Sequence, residues 1–568
     1  MAGIGSSLCL ALPLLLYLPA MQRLSTAVLT LGSLGLIGAC TAPGNQPEPP
    51  ALTVTSPQRS LVQEGLAQIK VTGTVAPNLD GTPVEKVLVN NVQATLEADG
   101  SFHALLDVQA GATLIHTVAR DAAGTEAEDT RAVHAGEIRT AGANVDRAVA
   151  AALSADAFAK ISAAAGPLVE GMDLGAMIAP LQPMISAGGD CTYARGYIDD
   201  VNLSNIDLSL VPKQGGIAFR AQIDGLDVPG HAHYAVGTLG ICPDGTTSFR
   251  IRATRVIVAG TLLVSPKGGT SGFKTDLQSP QVSVTGLDIS ADGIPGVILD
   301  LLNLDQKIQE IIPIAAKLAM EPLMNQALGA LAGPKQLDVF GKTLTMEMAP
   351  AAVTFTPASG LVSLNMKMMI GGAESAKFVY TANGTPALDP GTGFQIALAD
   401  DLANEMMAEA SAIGLLNLSM PKDAGTFDKI DLSMTLPPMI SADPADGSMK
   451  VILGDTIATF VSKGTPVGKA AINASIALKI NSAANGYGVA LELGEPAIHV
   501  TTLDDIANAT RFSDNDLART VEAGLRGQID SISKLLVGIP LPAVAGLQMR
   551  DLSVGSDDGY VMVQGQFQ

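Results

Sequence analysis

Two histidines one residue apart, His231 and His233 in "PGHAHYAV", are the first pair in this 568-residue chain that could do chemistry. On a strand both would point to one face and could hold a metal with a third ligand. No third ligand stands nearby, and the flanking Pro and Gly read as a turn or a strand start, so no metal site is expected. His103, His116, His134 and His499 are each isolated in the sequence. No G-x-S-x-G elbow occurs, and the carboxylates are scattered. No catalytic residues are assigned, and the expectation is a protein that is not an enzyme.

The residue with the plainest chemistry is Cys40. It closes the apolar run "LSTAVLTLGSLGLIGA" and is followed at once by "TAPGNQPEPP", which cannot bury apolar surface and reads as a disordered tether. Ile37-Gly38-Ala39-Cys40 resembles the bacterial lipobox, whose cysteine becomes the lipidated first residue of the mature protein. The resemblance implies a signal peptide over 1–39, a tether over 40–50 and a membrane anchor at Cys40. Acyl chains there would gain about 0.8 kcal/mol per buried methylene. Thr41 stands where an Asp typically retains such lipoproteins at the inner membrane, so the outer membrane is expected, on its periplasmic or its surface face. "MQRLSTAVLTLGSLGLIGAC" has the Arg and apolar core of a signal peptide, so Met21 reads as the start. A longer genuine leader would give the same mature chain. Cys9 falls in the leader. Cys191 and Cys242 are left, and one pair in an exported chain favours a single disulfide; the alternative is two buried thiols that never meet.

Composition narrows the partners. A net charge of −21 repels nucleic acid, and no basic tract or zinc spacing opposes it, so no nucleic-acid role is expected. Trp is absent, so apolar burial falls to aliphatics and 20 Met, which give flexible walls rather than stacking platforms. Gly 59 and Pro 33 argue for many turns and a large β content.

The elements that would carry these residues are read from periodicity. Residues 51–136 hold short alternating segments between Gly, Asn and Asp turns, a pattern that predicts an antiparallel sandwich. In "ADGSF" a tight turn returns Phe102 to the core. "VLVNNVQATLEADGSFHALLDVQAGATLIHTVARDAAG" resembles bacterial immunoglobulin-like domains, which implies a spacer. "NVDRAVAAALSADAFAKISAAAGPLV" is Ala-rich and reads as helix up to Gly166-Pro167. In "VNLSNIDLSLV" the apolar phase slips by one residue between Leu203 and Ile206, and "VSVTGLDIS" does the same at Gly286. Such slips predict β-bulges that curl a sheet.

Residues 294–331 carry an apolar stripe at helical spacing, with Pro313 and Pro322 as kinks. A helix is predicted at 399–416 with Leu402, Met406 and Ile413, and another long one at 515–536. This repeated order, with the closing "IPLPAVAGLQMRDLSVGSDDGYVMV", resembles the bactericidal/permeability-increasing protein family, also called tubular lipid-binding proteins, over about 140–568. The resemblance implies an α+β fold: two curled antiparallel sheets related by a pseudo-two-fold, each wrapping long apolar helices, preceded by the small sandwich. The barrels would span 137–340 and 341–568. Between helix and sheet, the family's groove would take acyl chains. Its walls here would include Val297, Leu301, Leu304, Ile308, Ile311, Leu318, Leu402, Met406, Leu517, Val521, Leu525 and Ile529. The implied protein is a lipid-binding or lipid-transfer lipoprotein that has no cofactor beyond bound phospholipid or fatty acyl chains. The other reading is a structural or adhesive lipoprotein with no ligand. "FRIRATR" alternates Arg250, Arg252 and Arg255 with small or apolar residues, so a solvated strand face is expected there rather than an endotoxin site.

Overall fold

Apolar and polar residues alternate with a period of two through most of the chain, and strand is what that pattern buries. The computed structural model describes residues 48–568 apart from 172, 238–241, 268–271, 292–332, 340, 382–383, 422–426, 443–448, 483–487, 505–536, 541–546 and 558.

The first strands form two facing sheets. Ala51–Ser56, Ile69–Ala76 and Ser101–Leu106 lie in one, and Leu61–Glu64, Val84–Val89, Gly111–Asp121 and Glu126–Thr140 in the other. Val71, Val87, Phe102, Ile115, Ala119 and Val133 fill the space between them. The sandwich is bonded to more C-terminal strands as well. Glu126–Thr140 runs on beyond it, and its last residues pair with Lys377–Tyr380.

A central seven-stranded sheet takes its strands from distant parts of the chain. Val145–Ser154 lies between Ser359–Ile370 and Phe394–Ala399, with Tyr560–Phe567 and Met549–Asp557 beyond. The first half of the Ala-rich segment is therefore strand, not helix. Its alanines read as helix by intrinsic propensity, but Ala148, Ala150 and Ala152 are buried between two neighbouring strands, and that packing overrides it. The helix begins only at Ala155, where the Ser154 hydroxyl accepts the Ala157 N–H at 3.1 Å, and it runs through Pro167 to Glu170.

The expected α+β class is corrected. Among the described residues strand makes up 67% and helix 9%, and the helices there have only 16, 5 and 13 residues, so the described part is mostly β. No long apolar helix wrapped by a sheet occurs among the described residues; the segments 294–331 and 515–536 lie outside them. The third predicted helix exists as Asp400–Ala412, but its buried residues are Asp400, Asp401, Asn404, Glu405, Ala408, Glu409 and Ala410. It docks through its polar face because strand ends beneath it leave backbone N–H groups that carboxylates can accept. Glu405 takes Gly142 N–H at 2.9 Å, Glu409 takes Ile370 N–H at 2.7 Å, and Asp401 takes Thr381 N–H at 2.9 Å.

One fully buried carboxylate fastens the sandwich to the C-terminal sheet. Asp455 accepts hydrogen bonds from the Arg59 guanidinium at 2.9 Å, Ser60 N–H at 2.7 Å and Ala132 N–H at 3.1 Å. Asn473, also fully buried, accepts the Asp455 N–H at 2.8 Å and donates to the Thr130 carbonyl at 2.8 Å. Asp455→Ala should cost about 2–4 kcal/mol, because it leaves the Ser60 and Ala132 N–H groups buried without their acceptor, while Arg59 keeps its second carboxylate, Asp129, at 2.6 Å. Urea unfolding of wild type and variant measures this; a loss under about 1 kcal/mol would contradict the role given to Asp455.

Candidate functional site

The site that best fits a ligand is a strip of one sheet, and it is made by neighbouring strands changing phase together. Asn202–Leu203 and Ile206–Lys213 pair with Gly216–Ala235, which pairs with Asp244–Pro266, which pairs with Phe273–Ala291. On one face the apolar residues run Ala221, Ile223, then Leu226, Val228; Val258, Val256, then Ala253, Ile251; and Val282, Val284, then Leu287, Ile289. Each series has one step of three where alternation demands two. The first strands carry the same step, between Leu203 and Ile206.

These are not bulges, which corrects the expectation. Register is unbroken across the line: Leu203 pairs with Leu226 and Ile206 with Ile223, while Ala253 pairs with Leu287 and Arg255 with Thr285. Left-handed residues accompany the reversal in three places, with φ of 49° at Asn205, 103° at Gly225 and 66° at Gly286, while Asp244–Pro266 reverses without one. Glycine is required at the last two. A Cβ on Gly225 would stand 2.3 Å from the Ser204 hydroxyl oxygen, and one on Gly286 would stand 2.3 Å from that of Thr254.

Away from the line the face is packed: Phe219, Leu262, Phe273 and Leu277 are buried on one side, and Val228, Phe249 and Ile251 on the other. Beside it, Ile223, Leu226, Val282, Val284, Leu287 and Ile289 stay half-exposed. The result is an apolar strip between two filled cores. At its edge opens a cleft of about 630 Å³ lined by Glu170, Asp173, Asp199 and Asp200 together with Val201 and Leu203. Four carboxylates at that mouth disfavour an anionic ligand. On the opposite face the arginines of "FRIRATR" are paired: Arg250 and Arg252 with Asp227, and Arg255 with Asp224 at 2.5 Å.

Val297, Leu301, Leu304, Ile308, Ile311, Leu318, Leu517, Val521, Leu525 and Ile529 lie outside the described residues, as does Cys40. Leu402 and Met406 are half-buried on the acidic helix, whose deepest positions are Glu405 and Glu409. Cys191 and Cys242 are joined as a disulfide with Cα atoms 5.1 Å apart. His231 bonds Asp199 at 2.6 Å and stacks on Tyr197, while His233 bonds Thr246 at 2.8 Å. His134 is buried, and desolvation pulls its pKa down to about 4. His116 and His499, isolated in the sequence, meet with ring centroids 4.6 Å apart.

Residues 50–136 match the family described as glucodextranase, domain B, which covers the sandwich alone. No curated protein sequence matches the chain. A crystal structure of lipopolysaccharide binding protein superposes with a TM-score of 0.37 at 17% identity, covering 75% of this chain and 99% of that one. The crystal structure of P47 of Clostridium botulinum E1 gives 0.26 at 9%, covering 76% and 100%. Both scores are too low to support an inference about this chain.

The acidic helix yields a pH prediction. Desolvation first, then the Glu409 charge, push Glu405 up to about 8; desolvation pushes Glu409 up to about 7. Folding thus favours the protonated forms. Their stabilisation is full below the ordinary value of 4.5 and is lost as pH rises through 7 and 8. Glu405→Gln, a neutral mimic, should leave stability at pH 5 nearly unchanged. Above pH 8 it should exceed wild type by an amount on the order of a few kcal/mol. Parallel stability curves for the two proteins from pH 5 to 9 would refute this.

Proposed function

We propose that this chain is a non-enzymatic lipid-binding lipoprotein, tethered to the outer membrane through Cys40, that lays acyl chains along the strip at the phase-reversal line. The observation that carries the reading is the row of half-exposed aliphatics, Ile223, Leu226, Val282, Val284, Leu287 and Ile289, continuous on one face between two packed cores. Aliphatic walls without Trp suit flexible chains, and the resemblance read in the sequence implies the same ligand class.

Magnitudes fix the kind of binding. Hiding about 14 methylenes from water is worth roughly 11 kcal/mol, at about 0.8 each. Moving the same chain from a bilayer to the strip gains almost nothing, since both are apolar. Such a protein exchanges lipid with membranes rather than trapping it. The acidic cleft beside Val201 and Leu203 favours lipids without net negative charge.

The test uses the chain from residue 49 onward, lacking Cys40. Organic extraction and mass spectrometry should find co-purifying phospholipid. The protein should also accelerate phosphatidylcholine transfer between vesicles more than phosphatidylglycerol transfer. Leu226→Asp and Leu287→Asp, each placing a charge in the strip, should reduce transfer at least tenfold while preserving the far-UV circular dichroism. A protein free of lipid that moves none between vesicles would instead be an anchored scaffold.

A further inference from the structure

Where the sandwich meets the C-terminal sheet, three side chains converge whose chemistry the proposed function does not use. His116 lies on Gly111–Asp121, Glu128 on Glu126–Thr140 and His499 on Gly488–Asp504. One ligand atom from each lies within 4.8 Å of the other two. This is the one such group of three or more potential metal ligands among the described residues.

The surroundings orient them. His116 Nδ1 is 2.8 Å from the Thr130 hydroxyl, and its Nε2 is 3.7 Å from Glu128 Oε2. With Nδ1–H donating to Thr130, the bare Nε2 lone pair is directed at Glu128. An imidazole that ligates a metal is held in this way by a partner on its other nitrogen. His499 is placed through its backbone: it pairs across its sheet with Asn473, the residue that bonds Asp455 and Thr130. The clasp that joins the two parts therefore also brings the strands of the two histidines together. Both histidines are half-buried, and Glu128 is exposed, which leaves an open side for water or an entering ion.

Tetrahedral zinc places neighbouring ligand atoms about 3.3 Å apart, given metal–ligand distances near 2.0–2.1 Å. The 3.7 Å from His116 to Glu128 closes to that by a small rotation of the exposed Glu128. Two imidazoles and one carboxylate are a donor set for a late divalent transition metal rather than for calcium or magnesium. We propose that His116, Glu128 and His499 bind one zinc-type divalent ion, with water in the fourth position, and that the ion cross-links the sandwich to the C-terminal sheet.

The full chain, dialysed against EDTA, is titrated with zinc sulfate by calorimetry and with cobalt chloride by visible absorption. One zinc equivalent should bind and raise the melting temperature, and cobalt should develop the d–d bands of a low-symmetry four-coordinate site. His499→Ala and the exposed Glu128→Gln should each weaken zinc binding at least tenfold and remove those bands. Glu128→Gln guards against misfolding, since its metal-free melting curve should match wild type. His231→Ala with His233→Ala should change nothing. The proposal is overturned if no saturable zinc binding occurs, if binding survives both substitutions, or if it is lost with His231 and His233 instead.

Discussion

An extended strand offers one face to the core only while every second residue is apolar, so a single misplaced residue turns the next apolar ones toward water. In the sheet that contains residues 202–291 that misplacement happens in each strand that crosses one transverse line. A reversal in one strand alone would set its apolar side chains against its neighbours' polar ones. Because Asn205, Gly225 and Gly286 reverse in register, the apolar face is continuous from Phe273 to Phe249. The glycines are the constraint on which this rests, since the hydroxyls of Ser204 and Thr254 occupy the space a methyl would need. What remains beside the line is aliphatic surface that packs against the two cores and is only partly covered by them, and the proposed lipid contact lies there.

The second organising contact joins distant parts of the chain. Asp455 is reached by Arg59, Ser60 and Ala132, so a sandwich that could have hung from a linker is instead bonded to the C-terminal sheet. A buried ion pair is weak evidence of net stabilisation, but it specifies position well, because any other arrangement would leave the charge unpaired. Its position here brings His499 up to His116. It acts together with the backbone pairing of Glu126–Thr140 to Lys377–Tyr380.

Much of the strand content is legible in the sequence. The short segments of 51–136 and the phase slips at Leu203/Ile206 and at Gly286 are visible as periodicity. That the slips preserve register is not, since it depends on which strand lies opposite. Val145–Ser154 reads as helix because alanine favours helix, and only burial between two strands decides otherwise. On Asp400–Ala412 the apolar spacing of Leu402 and Met406 conceals that carboxylates face inward to accept strand-end N–H groups. The convergence of His116, Glu128 and His499 leaves no local signal, because a tertiary contact alone unites them.

The most direct test places an environment-sensitive fluorophore on a cysteine at Leu287, in the strip, or at its neighbour Asp288 on the opposite face, and adds phosphatidylcholine vesicles. The account predicts a blue shift at position 287 and none at 288. Equal shifts at both positions, or none at either, would contradict a face-specific lipid contact.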